Sequence, residues 1–167
     1  ALHKLAELRK SGVTVAFGEL FMPKSIKKSS DGFHRQFVHG TEILDFLHAI
    51  DGSGEDANIL SFLDNERIRQ GELCRHIVCV LPYRASCDAM EIMLKEHASE
   101  FRNLSQYEVI NIAGVENERR FNKIEKVTRY ITECESRDQK TMTLTVNRML
   151  TGSTVPEWDT MLYLKDT

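Results

Sequence analysis

Residues 76–81, HIVCVL, form an unbroken apolar run closed by Arg75 on one side and Pro82 on the other. A strand with one wet face alternates apolar and polar residues. An unbroken run instead fits a strand covered on both faces, as in a parallel sheet between helices. The chain downstream repeats the units such a sheet needs. Residues 82–86 turn the chain, and a helix is expected over about 86–100, with Ala89, Met90, Met93, Leu94 and His97 at helical spacing. Residues 107–113, YEVINIA, supply a second strand. A helix over about 117–136 follows, with Phe121, Ile124, Val127, Ile131 and Cys134 as its buried stripe, flanked by Arg119, Lys123 and Lys126. Residues 141–146 are rich in β-branched side chains and 161–164 are apolar, so both read as strands. Strand and helix alternate throughout, which predicts an α/β fold with right-handed crossovers.

The first 72 residues read as a mainly helical connecting segment, distinct from the α/β part at 73–167. Residues 2–11 carry Leu2, Leu5, Ala6 and Leu8 on one face, with Gly12 as a stop. Residues 13–17 alternate weakly, as a strand would. Residues 24–36 hold Lys24, Lys27, Lys28 and Arg35 against Asp31, and read as an exposed loop of solvated lysines. Thr41 suits the N-cap of a helix over 42–50. A second helix is expected over about 56–70, stopped by Gly71. The Gly52-Ser53-Gly54 stretch lacks a following Gly-Lys-Ser/Thr and reads as a turn, not a phosphate loop.

Composition narrows the chemistry. The chain has 167 residues, 41% hydrophobic and 28% charged, as expected of a globular protein with a real core. Its net charge is −3, so any nucleic-acid contact must come from a local basic patch. No apolar run approaches the roughly 18–20 residues of a membrane helix, and no signal-peptide pattern opens the chain. Neither the four cysteines nor the six histidines show metal-ligand spacing. These features fit a protein of the reducing cytoplasm. The first residue is Ala1, within a helical pattern, and the last follow a strand closely, so the chain is expected to be a fragment.

The stretch between the last two strands is the most distinctive. It runs Asn147-Arg148-Met149-Leu150-Thr151-Gly152-Ser153-Thr154-Val155-Pro156, then Trp158 and Asp159. Gly152 permits backbone geometries other residues resist, and Pro156 turns Val155 away from helix. Hydroxyls and backbone N–H groups in such a loop can cradle a phosphate, although an ordinary strand connection has the same bare pattern. Trp158 could stack on a base, but packing against the sheet is the simpler role.

This stretch resembles the fifth conserved motif of superfamily-two helicases and translocases, in the form found in the ATP-driven subunits of type I and type III restriction enzymes. The family pattern is leucine-leucine-threonine-glycine, a residue, an aspartate, a small apolar residue and proline, then a strand. Met149-Leu150-Thr151-Gly152 and Val155-Pro156 match it. Thr154 stands where the family usually has the aspartate, and Asn147 where an aspartate is common. Residues 76–81 with Pro82-Tyr83-Arg84 resemble the fourth motif, which opens the second RecA-like domain. The resemblance runs from about residue 75 to 167. It implies a partial RecA-like domain, with a mostly parallel sheet flanked by helices, preceded by a mainly helical segment.

The resemblance also implies sites and partners. Arg84, Ser86, Arg148, Thr151 and Gly152 would meet the nucleic-acid backbone; Ser153 and Thr154 would face the nucleotide. Both departures fall on the nucleotide-facing half, so the backbone-facing half is the better preserved. DNA would be the partner, with the first RecA-like domain of the same parent chain and the modification or specificity subunits of a restriction system. ATP and magnesium would serve the intact protein. This chain has neither a G-x-x-x-x-G-K-S/T phosphate loop nor an Asp-Glu box after an apolar strand, so alone it should bind no cofactor and hydrolyse no ATP. The alternative is a stand-alone α/β interaction or nucleotide-sensing domain without motor activity, distinguished by whether a phosphate loop lies upstream of Ala1.

Overall fold

The computed structural model describes residues 16–28, 32–54, 60–115, 121, 123–146 and 155–166. In chain order these form α1 (Phe17–Leu20), β1 (Pro23–Lys28), β2 (Gly32–Phe37), α2 (Gly40–Asp51), α3 (Glu66–Arg69), β3 (His76–Val80), α4 (Arg84–Glu96), β4 (Tyr107–Asn111), α5 (Ile124–Ser136), β5 (Lys140–Thr145) and β6 (Thr160–Tyr163). Short 3₁₀ turns lie at Phe62–Asp64, Ala98–Glu100 and Leu104–Gln106.

Strands β3 to β6 make one four-stranded sheet in the order β4-β5-β3-β6, and every neighbouring pair is parallel. The α/β expectation is met. The apolar run explains why β3 is interior: all five of its residues are buried. Fully burying a Val or Ile is worth roughly 1.5–3 kcal/mol, and an edge position would forfeit part of it. β5 is equally enclosed, between β3 and β4.

Side chains alternate across the sheet, as strand geometry requires. Ile77 and Cys79 of β3 and Met142 and Leu144 of β5 join Cys87, Ala89, Met90 and Leu94 of α4 in one core. That core continues without a break into Ile43, Leu47 and Ile50 of α2, Leu63, Ile68, Phe21 and Phe37. On the other face Ile110, Val127, Ile131 and Val155 form a second cluster, with Phe121, Tyr130 and Trp158 packed against it. Trp158 therefore packs on the sheet, and its Nε1 donates to Thr143 Oγ1 at 3.3 Å. Thr141 is buried on the same parity, 2.8 Å from His76 Nδ1.

Several local expectations are corrected. Within the expected loop over 24–36, residues 24–28 and 32–36 are strands: β1 and β2 pair as an antiparallel ribbon, from Pro23↔Phe37 to Lys28↔Gly32. The ribbon gains its stability from a distant contact, Phe37 meeting Phe21 edge-on at 5.8 Å in the α4-side core. The helix after the ribbon starts at Gly40, with His39 rather than Thr41 at the cap. The helix expected over 56–70 is interrupted. Phe62–Asp64 is a 3₁₀ turn, and α3 restarts at Glu66 because Asn65 Oδ1 accepts the Arg67 N–H at 3.0 Å. Gly71 ends this region with φ +80°, as a helix stop should. α4 begins two residues early, at Arg84, and ends at Glu96; α5 spans 124–136 of the expected 117–136. The expected helix at 2–11 and the strand start at 13–15 lie outside the described residues, as do 56–59 and 117–120.

Candidate functional site

In a parallel sheet the strands' carboxyl ends point the same way, and ligands gather on the loops that leave them. Here these are residues 81–84 after β3, 112–115 after β4, Val146 after β5 and 164–166 after β6. Arg84 opens α4 and reaches across to the β4 loop. Its Nε donates to Ala113 O at 2.9 Å and its Nη2 to Gly114 O at 3.1 Å. One helical turn later, Asp88 takes the same loop from beneath. Its Oδ2 accepts the Val115 N–H and its Oδ1 accepts Asn111 Nδ2, both at 2.9 Å. Asp88 and Asn111 are buried and fully engaged: Asn111 Nδ2 also reaches Glu91 Oε1 at 3.2 Å, and its Oδ1 accepts the Ala113 N–H at 3.3 Å. The segments leaving β5 and β6 are tied as well, with Lys165 Nζ donating to Val146 O at 3.1 Å.

The short helix α1 sits on this same edge. Asp166, just past β6, accepts the N–H groups of Phe17 and Gly18 at 3.0 and 2.9 Å. A Cβ on Gly18 would lie 3.2 Å from Tyr83 Oη. Ser86 Oγ donates to Phe21 O at 2.7 Å. The edge is thus built from four strand ends and a helix that arrives from the preceding segment.

Arg84 is therefore at the carboxyl edge, where the sequence placed it, within α4's first turn. Ser86 is not on the surface: it is fully buried, and its hydroxyl holds the end of α1. Arg148, Thr151, Gly152, Ser153 and Thr154 lie outside the described residues. Their stretch leaves β5 at Val146 on the carboxyl edge and returns to β6 at the opposite end. Val155, buried at 5% exposure, and Trp158 lie along that return path. Sequence reasoning missed Asp88, Asn111, Lys165 and Asp166. The available signals were Asp88 one helical turn beyond Arg84, and a polar Asn ending an apolar strand.

The amino end of the sheet is closed by charge. Arg75 Nη2 meets Asp138 Oδ1 at 2.6 Å and Glu135 Oε1 at 3.2 Å, and its Nη1 donates to Gly71 O at 2.9 Å. His76 Nε2 bonds Glu135 Oε2. Asp159 accepts the N–H groups of Arg75 and His76 at 2.9 and 3.2 Å, which fixes the end of the β5–β6 connection. The His76 hydrogen bond first, and then Arg75, hold the Glu135 carboxyl below its ordinary value of 4.5. A depressed carboxylate contributes stability above its unfolded pKa, and that stability is lost as pH falls through the folded value. The urea-midpoint difference between wild type and Glu135→Gln should therefore be largest above the ordinary carboxylate value of 4.5 and shrink as pH falls below it. Parallel curves across that range would remove the ion pair from the stability of the fold.

Other chemistry is limited. Cys74, Cys79, Cys87 and Cys134 are free thiols. Burial pushes Cys79 up to about 12 and Cys87 up as well, so neither is a nucleophile near neutral pH. Among the described residues no group of three His, Cys, Asp or Glu is placed to hold a metal ion, and no helix is long and apolar enough to cross a membrane. A cavity of about 290 Å³ lies between β2, α2 and α4, and one of about 480 Å³ between Arg69, Gln70, Arg102 and Gln106. Neither is lined by the carboxyl-edge loops.

Over 154 residues, 91% of this chain, the sequence is 24% identical to a protein of Mycoplasma pneumoniae described as the C-terminus of a putative type II restriction enzyme and methyltransferase. The aligned stretch covers 20% of that protein, so the chain spans about a fifth of the relative's length. No family model matches the chain, and no solved structure matches it.

Proposed function

We propose that this chain is part of a DNA-acting protein of a restriction system and supplies the second RecA-like half of an ATP-driven translocase. The observation that carries the reading is the position of Val146. Val146 closes β5 on the carboxyl edge, where Lys165 holds its carbonyl and Arg84 holds the neighbouring β4 loop, and in the sequence the residues that resemble the fifth helicase motif follow it. The parallel sheet packed on both faces and the likeness to the mycoplasmal restriction protein support the same reading. Residue by residue, Arg148 would neutralise a backbone phosphate, Thr151 would donate a hydroxyl, and Gly152 would let the backbone approach. Such contacts position a strand without reading its sequence, as a motor needs. Arg84 would act mainly by holding the β4 loop, and Ser86 by holding α1.

ATP and magnesium would bind chiefly to the first RecA-like half of the intact protein. Ser153 and Thr154 are this chain's nucleotide-facing candidates. The partners would be DNA, that first half, and modification or specificity subunits, in the cytoplasm. The test is ATP hydrolysis by the full-length protein with and without DNA. Arg148→Glu should reduce DNA-stimulated turnover to the DNA-free level; unaltered stimulation would remove Arg148 from the track. ATP hydrolysis by the 167-residue polypeptide alone would overturn the division of labour.

A further inference from the structure

Helix α1 stands on the carboxyl edge without belonging to the sheet. β3 and β6 are neighbours, and their register pairs Val80 with Tyr163, so Leu81 and Leu164 leave the sheet side by side. Both are buried, at 0% and 4% exposure, in the core that Phe17 and Leu20 of α1 pack against. After β4 and β5 the chain is more open: Ala113 and Val146 are half-buried and Val115 is exposed. α1 therefore covers the ends of β3 and β6 and leaves those of β4 and β5 accessible, in the place where open α/β sheets take their ligands.

Its two ends are held differently. Phe21, directly after α1, is fully buried, meets the Phe37 and Phe46 rings edge-on at 5.8 and 6.4 Å, and accepts the Ser86 hydroxyl at its carbonyl. The N–H groups of the first turn are met instead by an exposed carboxylate from past β6. Asp166 Oδ1 accepts the Phe17 N–H at 3.0 Å and Oδ2 the Gly18 N–H at 2.9 Å. Ala16, at the cap, has no side-chain oxygen to offer in its place. The fit there is close: a Cβ on Gly18 would lie 3.2 Å from Tyr83 Oη and 3.3 Å from Asp166 Oδ2. A buried aromatic anchor at one end and a solvent-facing tie at the other make a hinge and a latch. The tie is the weaker, because water and salt screen exposed charge. Asp166 also sits where a phosphate backbone on the carboxyl edge would bring like charge against it.

We propose that α1 is an autoinhibitory lid on the carboxyl edge, hinged at Phe21 and latched by Asp166, which an anionic strand arriving at that edge opens by repelling the latch. That the strand is DNA rests on the DNA-acting reading; the hinge and latch do not. The bland alternative is that Asp166 merely fastens the preceding segment to the sheet. Loosening a lid improves binding at the edge, whereas loosening a fastening does not.

The experiment follows hydrogen exchange at the Phe17 and Gly18 amides of the full-length protein, and its affinity for a DNA duplex, without ATP, by fluorescence anisotropy. Asp166→Ala should speed exchange at both amides by about tenfold while the β3 amides exchange as before. Apparent affinity scales with the open fraction when only the open form binds, so DNA should bind about tenfold more tightly as well. Saturating DNA should itself speed exchange at Phe17 and Gly18 in the wild type. Glu19→Gln removes the same charge from an exposed position of α1 and should leave both readouts near wild type. Unchanged exchange in Asp166→Ala removes the latch and overturns the proposal. Equal acceleration in β3 is global loosening and overturns it too, as does equal tightening in Glu19→Gln, which would make net charge the cause. DNA that slows exchange would make α1 a clamp and not a lid. Faster exchange with unchanged or weaker DNA binding leaves Asp166 a fastening; the lid falls and the DNA-acting reading stands. Faster exchange in a protein that binds no DNA, with or without Asp166, keeps the latch and sinks the DNA-acting reading.

Discussion

Asp51→Ala is expected to destabilise the protein by about 3–5 kcal/mol, a large share of what a domain this size has in hand. Asp51 ends α2 and is fully buried. Its Oδ1 accepts the N–H groups of Asn103 and Leu104 at 2.9 and 2.7 Å, and its Oδ2 accepts that of Arg102 at 3.0 Å. Asn103 Nδ2 answers by donating to Asp51 O at 2.8 Å. Alanine leaves three backbone donors without that acceptor, two of them on buried residues, Asn103 and Leu104. An unmet buried donor costs about 1–3 kcal/mol, and three in one turn are not independent, which sets the range. Asp51→Asn keeps one acceptor oxygen but turns an NH₂ toward a backbone N–H, so it should cost about half as much. Urea unfolding provides the measurement. Trp158, the sole tryptophan, sits in the core on the opposite face of the sheet. Its fluorescence midpoint should fall together with the loss of helical circular dichroism, because α2 and the sheet share one core. A loss under about 1 kcal/mol, or separate midpoints, would show that the preceding segment is not cooperatively joined to the sheet.

How much of this was legible in the sequence depended on how local each cause is. The apolar run at 76–81 specified an interior strand, whereas β5 alternates threonine with Met142 and Leu144, so its β-branched content marked a strand without showing that both faces are buried. The buried stripe of Val127, Ile131 and Cys134 placed α5 with little else needed. The ribbon escaped because Ile26, Phe33 and Phe37 are spaced by lysine, serine, histidine and arginine, a dilute alternation. What makes it a ribbon is Phe37 against Phe21 and α4, a contact no local window contains. Ser86 was misplaced for the same reason: its partner, the Phe21 carbonyl, is 65 residues away. Asp51 was invisible because an acid ending a helix is ordinary, and only the return of residues 102–104 makes it indispensable. At the candidate site the sequence located Arg84 on the right edge. It could not show that the guanidinium is engaged with the β4 loop, because Ala113 and Gly114 come near only once the sheet is assembled.

Gly114→Ala should cost about 2–4 kcal/mol and displace the loop that Arg84 holds. The reason is space rather than backbone conformation. A Cβ at position 114 would lie 2.2 Å from Asp88 Oδ1 and 2.6 Å from Asn111 Nδ2. Asp88 and Asn111 are 5% and 3% exposed, so neither can swing into solvent without breaking their mutual hydrogen bond. If Asp88 moves, the Val115 N–H loses its acceptor; if the loop moves, Arg84 loses both carbonyls. Either way the edge next to Val146 changes shape, and DNA-stimulated turnover of the full-length protein should fall along with stability. A double-mutant cycle isolates the cause. In an Asp88→Ala background the nearest clashing oxygen is gone and Asn111, at 2.6 Å, is released from its bond to Asp88, so adding Gly114→Ala should cost clearly less than it does alone. If the alanine costs the same with or without Asp88, the clash is not the source of the loss. The glycine would then serve something other than room for a buried carboxylate at the mouth of the sheet.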